Sequence, residues 1–173
     1  MPEPLSRRAA VAAGLSGAAA RVLARGAAAA ATAEPGQGAA LTALVRAELD
    51  AAFVYRAARL GDDAATLADQ EDEHARALSS HLQAIGLPLP RPRTSRSGLS
   101  AEALRVLDTG GGARRLRAAA ALERTLIAGC AAQLGRLEEP GIIRTVATVM
   151  ASHAQHLALH ERAAGLDPLS SER

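Results

Sequence analysis

Three glutamates and three histidines carry the chemistry that this sequence offers. Glu71 and His74 lie in LADQEDEHARALSSHLQAI, residues 67–85, on the stripe that Leu67, Leu78, Leu82 and Ile85 mark out at helical spacing. Residues three apart stack on one helix face, so this carboxylate and this imidazole point together into whatever the helix packs against. Glu48 interrupts a second apolar stripe, Leu41, Leu44, Val45, Ala51, Ala52 and Tyr55. Glu123 interrupts a third, Leu116, Ala119, Leu126, Cys130, Leu134 and Leu137. A fourth, Ile142, Val146 and Val149, continues through His153, His156 and His160. A buried acid is costly unless it is paired or binds a metal. Two chemistries therefore compete for these residues. One is a set of glutamate–histidine pairs inside a core. The other is a metal centre in which carboxylates bridge hard cations, imidazoles cap them and open positions admit oxygen or peroxide.

Four long helices must position these groups. The pattern predicts helices over 39–60, 64–85, 113–137 and 142–164, with a short one over 100–107 capped by Ser100. Gly61-Asp62-Asp63 and Glu138-Glu139-Pro140-Gly141 read as tight turns, with Asp62 or Asp63 as N-cap, and Gly86 as a helix stop. Short turns make antiparallel helix hairpins. The connection over 87–112 has 26 residues, and Pro88, Pro90 and Pro92 forbid a regular helix at its start. At about 3.3 Å per extended residue it can run the full length of a helix of about 33 Å. Two hairpins joined by one long crossover define the expected architecture: all-α, a four-helix bundle.

Counting from the turns gives the height of each group. Glu48 lies 14 residues from Asp62, and Glu71 and His74 lie 9 and 12 from it. At 1.5 Å per residue the offset is about 5 Å, within side-chain reach. Glu123 precedes Glu139 by 16 residues, and His153 and His156 follow it by 14 and 17. The four sets converge near mid-bundle.

This pattern resembles the ferritin-like di-iron carboxylate proteins, over residues 39–164. Those proteins take a Glu from each of two helices and Glu-x-x-His from the other two. Glu48 and Glu123 match the lone glutamates, and Glu71-x-x-His74 matches one motif in full. Tyr55, seven residues after Glu48, resembles the tyrosine beside the iron site in ferritins. The resemblance implies Glu71 as the bridging acid, Glu48 and Glu123 as terminal or bridging carboxylates, and His74 and His156 as terminal ligands. It implies iron as the metal, and oxidase or peroxide-scavenging chemistry. The fourth helix departs from the pattern: it reads His153-Ala154-Gln155-His156, so His153 replaces a carboxylate. Three Glu and three His accommodate a single metal or an asymmetric pair, and zinc or copper as readily as iron. The alternative is a metal-free structural or interaction bundle at the cell envelope.

The remaining candidates read as structure. His81 and His160 fall beside the ligand set or at the bundle ends, and Cys130 falls in the core. Asp69, Asp72, Glu73 and Arg76 form a solvated face. Gly110-Gly111-Gly112 has neither a P-loop lysine nor a preceding strand.

Composition agrees with packed helices: Ala is abundant, Phe53 and Tyr55 are the only aromatics, and Trp is absent. All 20 basic residues are Arg, a mark of GC-rich coding. From Glu34 onward 16 Arg face 17 acids, a net charge of −1, which gives nucleic-acid binding no support. The single cysteine allows no internal disulfide. A second copy of the chain is a candidate partner, in a homo-oligomer.

Residues 1–33 stand apart. Ser6-Arg7-Arg8, the weakly apolar run Ala9 to Ala20 and Ala31-Thr32-Ala33 resemble a bacterial twin-arginine export signal with its cleavage site. The expected domains are this leader, a Pro/Gly linker over 34–38, the bundle over 39–166 and a tail over 167–173. Export is expected, the alternative being an Ala-rich arm on a cytoplasmic protein. No run reaches the roughly 20 apolar residues of a membrane span.

Overall fold

A computed structural model describes residues 35–60 and 64–166. The expected leader, the tail and the Asp62/Asp63 cap lie outside these residues. The described residues form five helices and no strands: α1 Pro35–Ala58, α2 Ala64–Ala84, α3 Ala101–Asp108, α4 Ala113–Leu134 and α5 Pro140–Ala163.

Local chemistry sets the ends. Arg59, at φ 49°, turns the chain out of α1, and Arg115 donates to the Ala58 and Thr109 carbonyls at 2.7 and 2.9 Å. Gly86, at φ 73°, ends α2, and Leu87 N–H donates back to the Leu82 carbonyl at 2.9 Å. Ser100 caps α3 by accepting from Ala103 N–H. Glu139 caps α5 ahead of Pro140, which sits in the first turn, where its missing N–H costs nothing.

The largest boundary difference from the sequence expectation is at the start of α1. That helix also ends at Ala58 rather than 60, α4 ends at Leu134 rather than 137, and α5 starts at Pro140 rather than 142. Pro35–Gly38 is not a linker but the first turn of α1. Proline suits a helix start, and the turn is docked: the buried Gln37 accepts from Glu138 and Glu139 N–H at 2.8 and 3.4 Å. Gly38 packs against the Leu87 side chain so closely that a Cβ there would displace it.

α1 packs along α2, and α4 along α5; α2 also meets α5, and α1 meets α4, so the four long helices close a ring. α3 lies against α1 and α4. The crossover is pinned to α1 by Arg93, whose guanidinium donates to both Asp50 oxygens at 2.7 and 2.9 Å. Among the described residues no helix is long and apolar enough to cross a membrane.

The interior is not one continuous apolar core. One cluster gathers Val54, Leu67, Val106, Leu122 and their neighbours. Another gathers Leu41, Val45, Leu78, Leu82, Ile142 and Val146. Between them the buried residues include Glu48, Glu71, Glu123, His153 and His156. The apolar clusters must hold the helices while this polar layer is satisfied separately. Leu78→Ala and Leu82→Ala, both at fully buried positions, should each lower unfolding free energy by about 2–5 kcal/mol in chemical denaturation. The exposed Leu159→Ala should change it by no more than about 0.5 kcal/mol.

Candidate metal centre

All six residues singled out in the sequence meet in the polar layer. Glu48 comes from α1, Glu71 and His74 from α2, Glu123 from α4, and His153 and His156 from α5. Glu71, Glu123 and His153 show no exposure, and Glu48 and His156 only 1 % and 2 %. The His74 side chain keeps 14 %, and so forms the wettest edge of the site.

The contacts fall into two halves. Toward one side, His74 Nδ1 lies 3.3 Å from Glu48 Oε2 and 3.1 Å from Glu71 Oε2. Toward the other, His156 Nδ1 lies 3.0 Å from Glu71 Oε1 and 3.5 Å from Glu123 Oε1. Glu71 therefore sends one oxygen into each half. His153 does the same with its nitrogens: Nε2 is 3.1 Å from Glu48 Oε1, and Nδ1 is 2.9 Å from Glu123 Oε2. Two metal-competent quartets result, Glu48, Glu71, His74 and His153, and Glu71, Glu123, His153 and His156, each with its ligand atoms within 4.8 Å of one another.

A supporting layer surrounds them. Tyr55, fully buried, donates its hydroxyl to Glu123 Oε1 and lies 3.2 Å from His160 Nε2. His156 Nε2 donates to Gln70 Oε1 at 2.8 Å. Such outer partners fix the tautomer and orientation of a ligand. Gln70 carried no signal in the sequence: it lies beside the apolar stripe, and only the approach of α5 gives it a role. His81 stands apart from the cluster, 2.9 Å from Thr145 Oγ1. His160 belongs to the supporting layer and Cys130 to the apolar core, as the sequence reading assigned them.

Charge balance explains why the layer tolerates burial. Burial alone would raise the Glu48 carboxyl, but hydrogen bonds from His153 and His74 outweigh it and hold it at about 2. Burial pushes the imidazoles the other way, yet the facing carboxylates lift His74 and His156 to about 9 and His153 to about 11. Three imidazolium cations then meet three carboxylates. His160, desolvated and without a directly bonded acid, is held below its ordinary value and stays neutral. Burial, then the carboxylate of Glu123, drives the Tyr55 hydroxyl well above its ordinary range, so it remains a donor.

The donor set suits a cation. Imidazole favours zinc, copper, iron and nickel over magnesium or calcium, and carboxylate oxygens supply the neutralising charge. Glu48 also lines a cavity of about 500 Å³ between α1, the crossover and α4, bounded by Ala47, Ala51, Leu122, Leu126 and Gly129 among others.

In metal-free protein the pKa shifts fix the pH dependence of stability. The histidine contributions are complete below the ordinary value of 6.5 and are lost as pH rises through about 9 to 11. The Glu48 contribution is complete above 4.5 and is lost as pH falls toward about 2. Thermal unfolding of chelator-treated protein should therefore give the highest Tm between about pH 4.5 and 6.5. The alkaline limb should flatten in His153→Gln.

Comparison with known proteins finds no family model, curated protein or solved structure that matches this chain.

Proposed function

We propose that the chain is a ferritin-like four-helix bundle that holds iron in its polar layer and turns it toward oxygen or peroxide. The single observation that supports this most is the division of Glu71, whose two oxygens face His74 and His156 on opposite sides of the site. A core acid needs only one partner; a carboxylate addressed to two half-sites suits a bridging ligand. Bound iron would supply one-electron chemistry toward a small oxidant. The residues do the rest. Glu48 and Glu123 hold the flanks, His74 and His156 cap the two halves, and Tyr55 keeps Glu123 oriented by donating to it. The apolar cavity beside Glu48 favours uncharged partners over ions. Export through a twin-arginine route fits this reading, because that route carries proteins folded around their cofactor. Arg7-Arg8 and Ala31-Thr32-Ala33 are its support.

A specific observation favours a second reading, a metal-free structural or interaction bundle. The three imidazoles and three carboxylates already satisfy one another. Among the described residues the buried side-chain polar atoms all find partners except Gln133 Oε1.

Anaerobic loading of the full chain with Fe(II), with Zn(II) and Cu(II) in parallel, separates the two. Elemental analysis should find one to two irons per chain, the number that two overlapping quartets allow. Glu71→Gln and His74→Ala should abolish most of it, and Tyr55→Phe should weaken binding about 10–100-fold, as outer-partner losses do. Retention of less than about a tenth of any metal ion per chain would establish the metal-free reading. Uptake of zinc or copper without iron would keep the centre and remove the oxidase chemistry.

A further inference from the structure

We propose that the centre takes two divalent transition-metal ions and that His153 bridges them through both ring nitrogens, as an imidazolate. This rests on the metal-binding reading above and goes beyond it in stoichiometry and in the identity of the bridge.

The geometry comes first. A terminal histidine presents one nitrogen to the metal and the other to an outer acceptor, as His156 does with Gln70. His153 has no outer acceptor. Both of its nitrogens face glutamates of the site, Nε2 toward Glu48 at 3.1 Å and Nδ1 toward Glu123 at 2.9 Å. It is a member of both quartets, and the only other shared member is Glu71. The ring thus lies across the boundary between the halves, fully buried, with nowhere else for either nitrogen to turn.

Charge gives the second argument. Glu48, Glu71 and Glu123 contribute −3, and two divalent cations bring +4. The site is closed to water at Glu48, Glu71, Glu123 and His153, all 1 % exposed or less. An unbalanced charge there is costly. Loading two dications displaces one proton each from His74 and His156 and both ring protons of His153, which leave past the His74 edge, 14 % exposed. The imidazolate left at His153 supplies the fourth negative charge and makes the dication pair neutral. A carboxylate at this position would do the same with its own charge. Histidine reaches the same balance only by bridging.

A bridge of this kind has a length. Metal–nitrogen bonds of about 2.0–2.1 Å on either side of the ring separate the ions by about 6 Å, against about 3.5–4 Å in compact two-metal sites.

Copper is the probe, because its bonds to imidazole are strong and its unpaired electron reports on a neighbour. The full chain is loaded with Cu(II), and copper content, X-ray absorption and electron paramagnetic resonance are read together. The expected result is two copper ions per chain, about 6 Å apart, magnetically coupled and with imidazole scattering shared between them. In His153→Gln the content should fall to one copper per chain with the signal of an isolated ion. In His153→Glu, a second variant that keeps one negative charge and two bridging atoms, two ions should return at about 3.5–4 Å. Circular dichroism checks that both variants keep the wild-type helix content. One copper per chain in the wild type overturns the proposal, as does a wild-type separation of about 3.5–4 Å. Coupling that survives His153→Gln also overturns it. In each of those cases the metal-binding reading stands. No bound copper at all overturns the bridge, and it overturns the metal-binding reading as well only where iron and zinc are not retained either.

Discussion

Burying three carboxylates in the middle of a helical interior is the constraint on which the rest of this structure depends. Glu48, Glu71 and Glu123 are all at 1 % exposure or below, where an isolated carboxylate would be prohibitively costly. Each must be met by a cation or a donor, and the groups that meet it must come from other helices. His74 on α2 reaches Glu48 on α1, and His153 on α5 reaches both Glu48 and Glu123. His156 on α5 reaches Glu71 on α2. The polar layer therefore ties all four long helices together and fixes their heights. The two apolar clusters supply most of the favourable burial, but they would tolerate small slips that the charged layer would not.

The positions of the six groups were legible in the sequence because each interrupts an apolar stripe. An ionisable residue at a core position is an anomaly that periodicity exposes, and helix counting from the turns then sets its height. The orientation of His153 was not legible. Spacing places its Cα, but whether a ring faces one partner or two depends on how α1 and α4 close around it. Gln70 was invisible for the same reason. Val54 and Leu122 were absent from the expected stripes because each faces the cluster that α3 completes. The docking of α3 is a long-range event that no local pattern announces. The linker expectation at Pro35–Gly38 failed in a different way. Proline and glycine usually mark breaks, but at a helix start proline is favourable, and Gln37 anchors the turn to a distant loop.

The crossover is more than a tether. Its proline-rich start forms no helix, its Arg93 clasps Asp50, and its helix α3 packs against α1 and α4. The same strap helps to enclose the cavity that Glu48 lines. Changes in the crossover can thus alter what reaches the site without touching any of the six groups.

Gln37 sets a limit on how this chain can be shortened. Its side-chain oxygen serves the Glu138 and Glu139 N–H groups, more than a hundred residues away, in the turn between α4 and α5. A protease that cut anywhere ahead of Pro35 would leave that clasp whole. A cut only three residues further on would strip two backbone donors of their acceptor and loosen the hairpin that carries His153 and His156. The margin between a cut that spares the clasp and one that reaches the distant histidines is less than one helical turn.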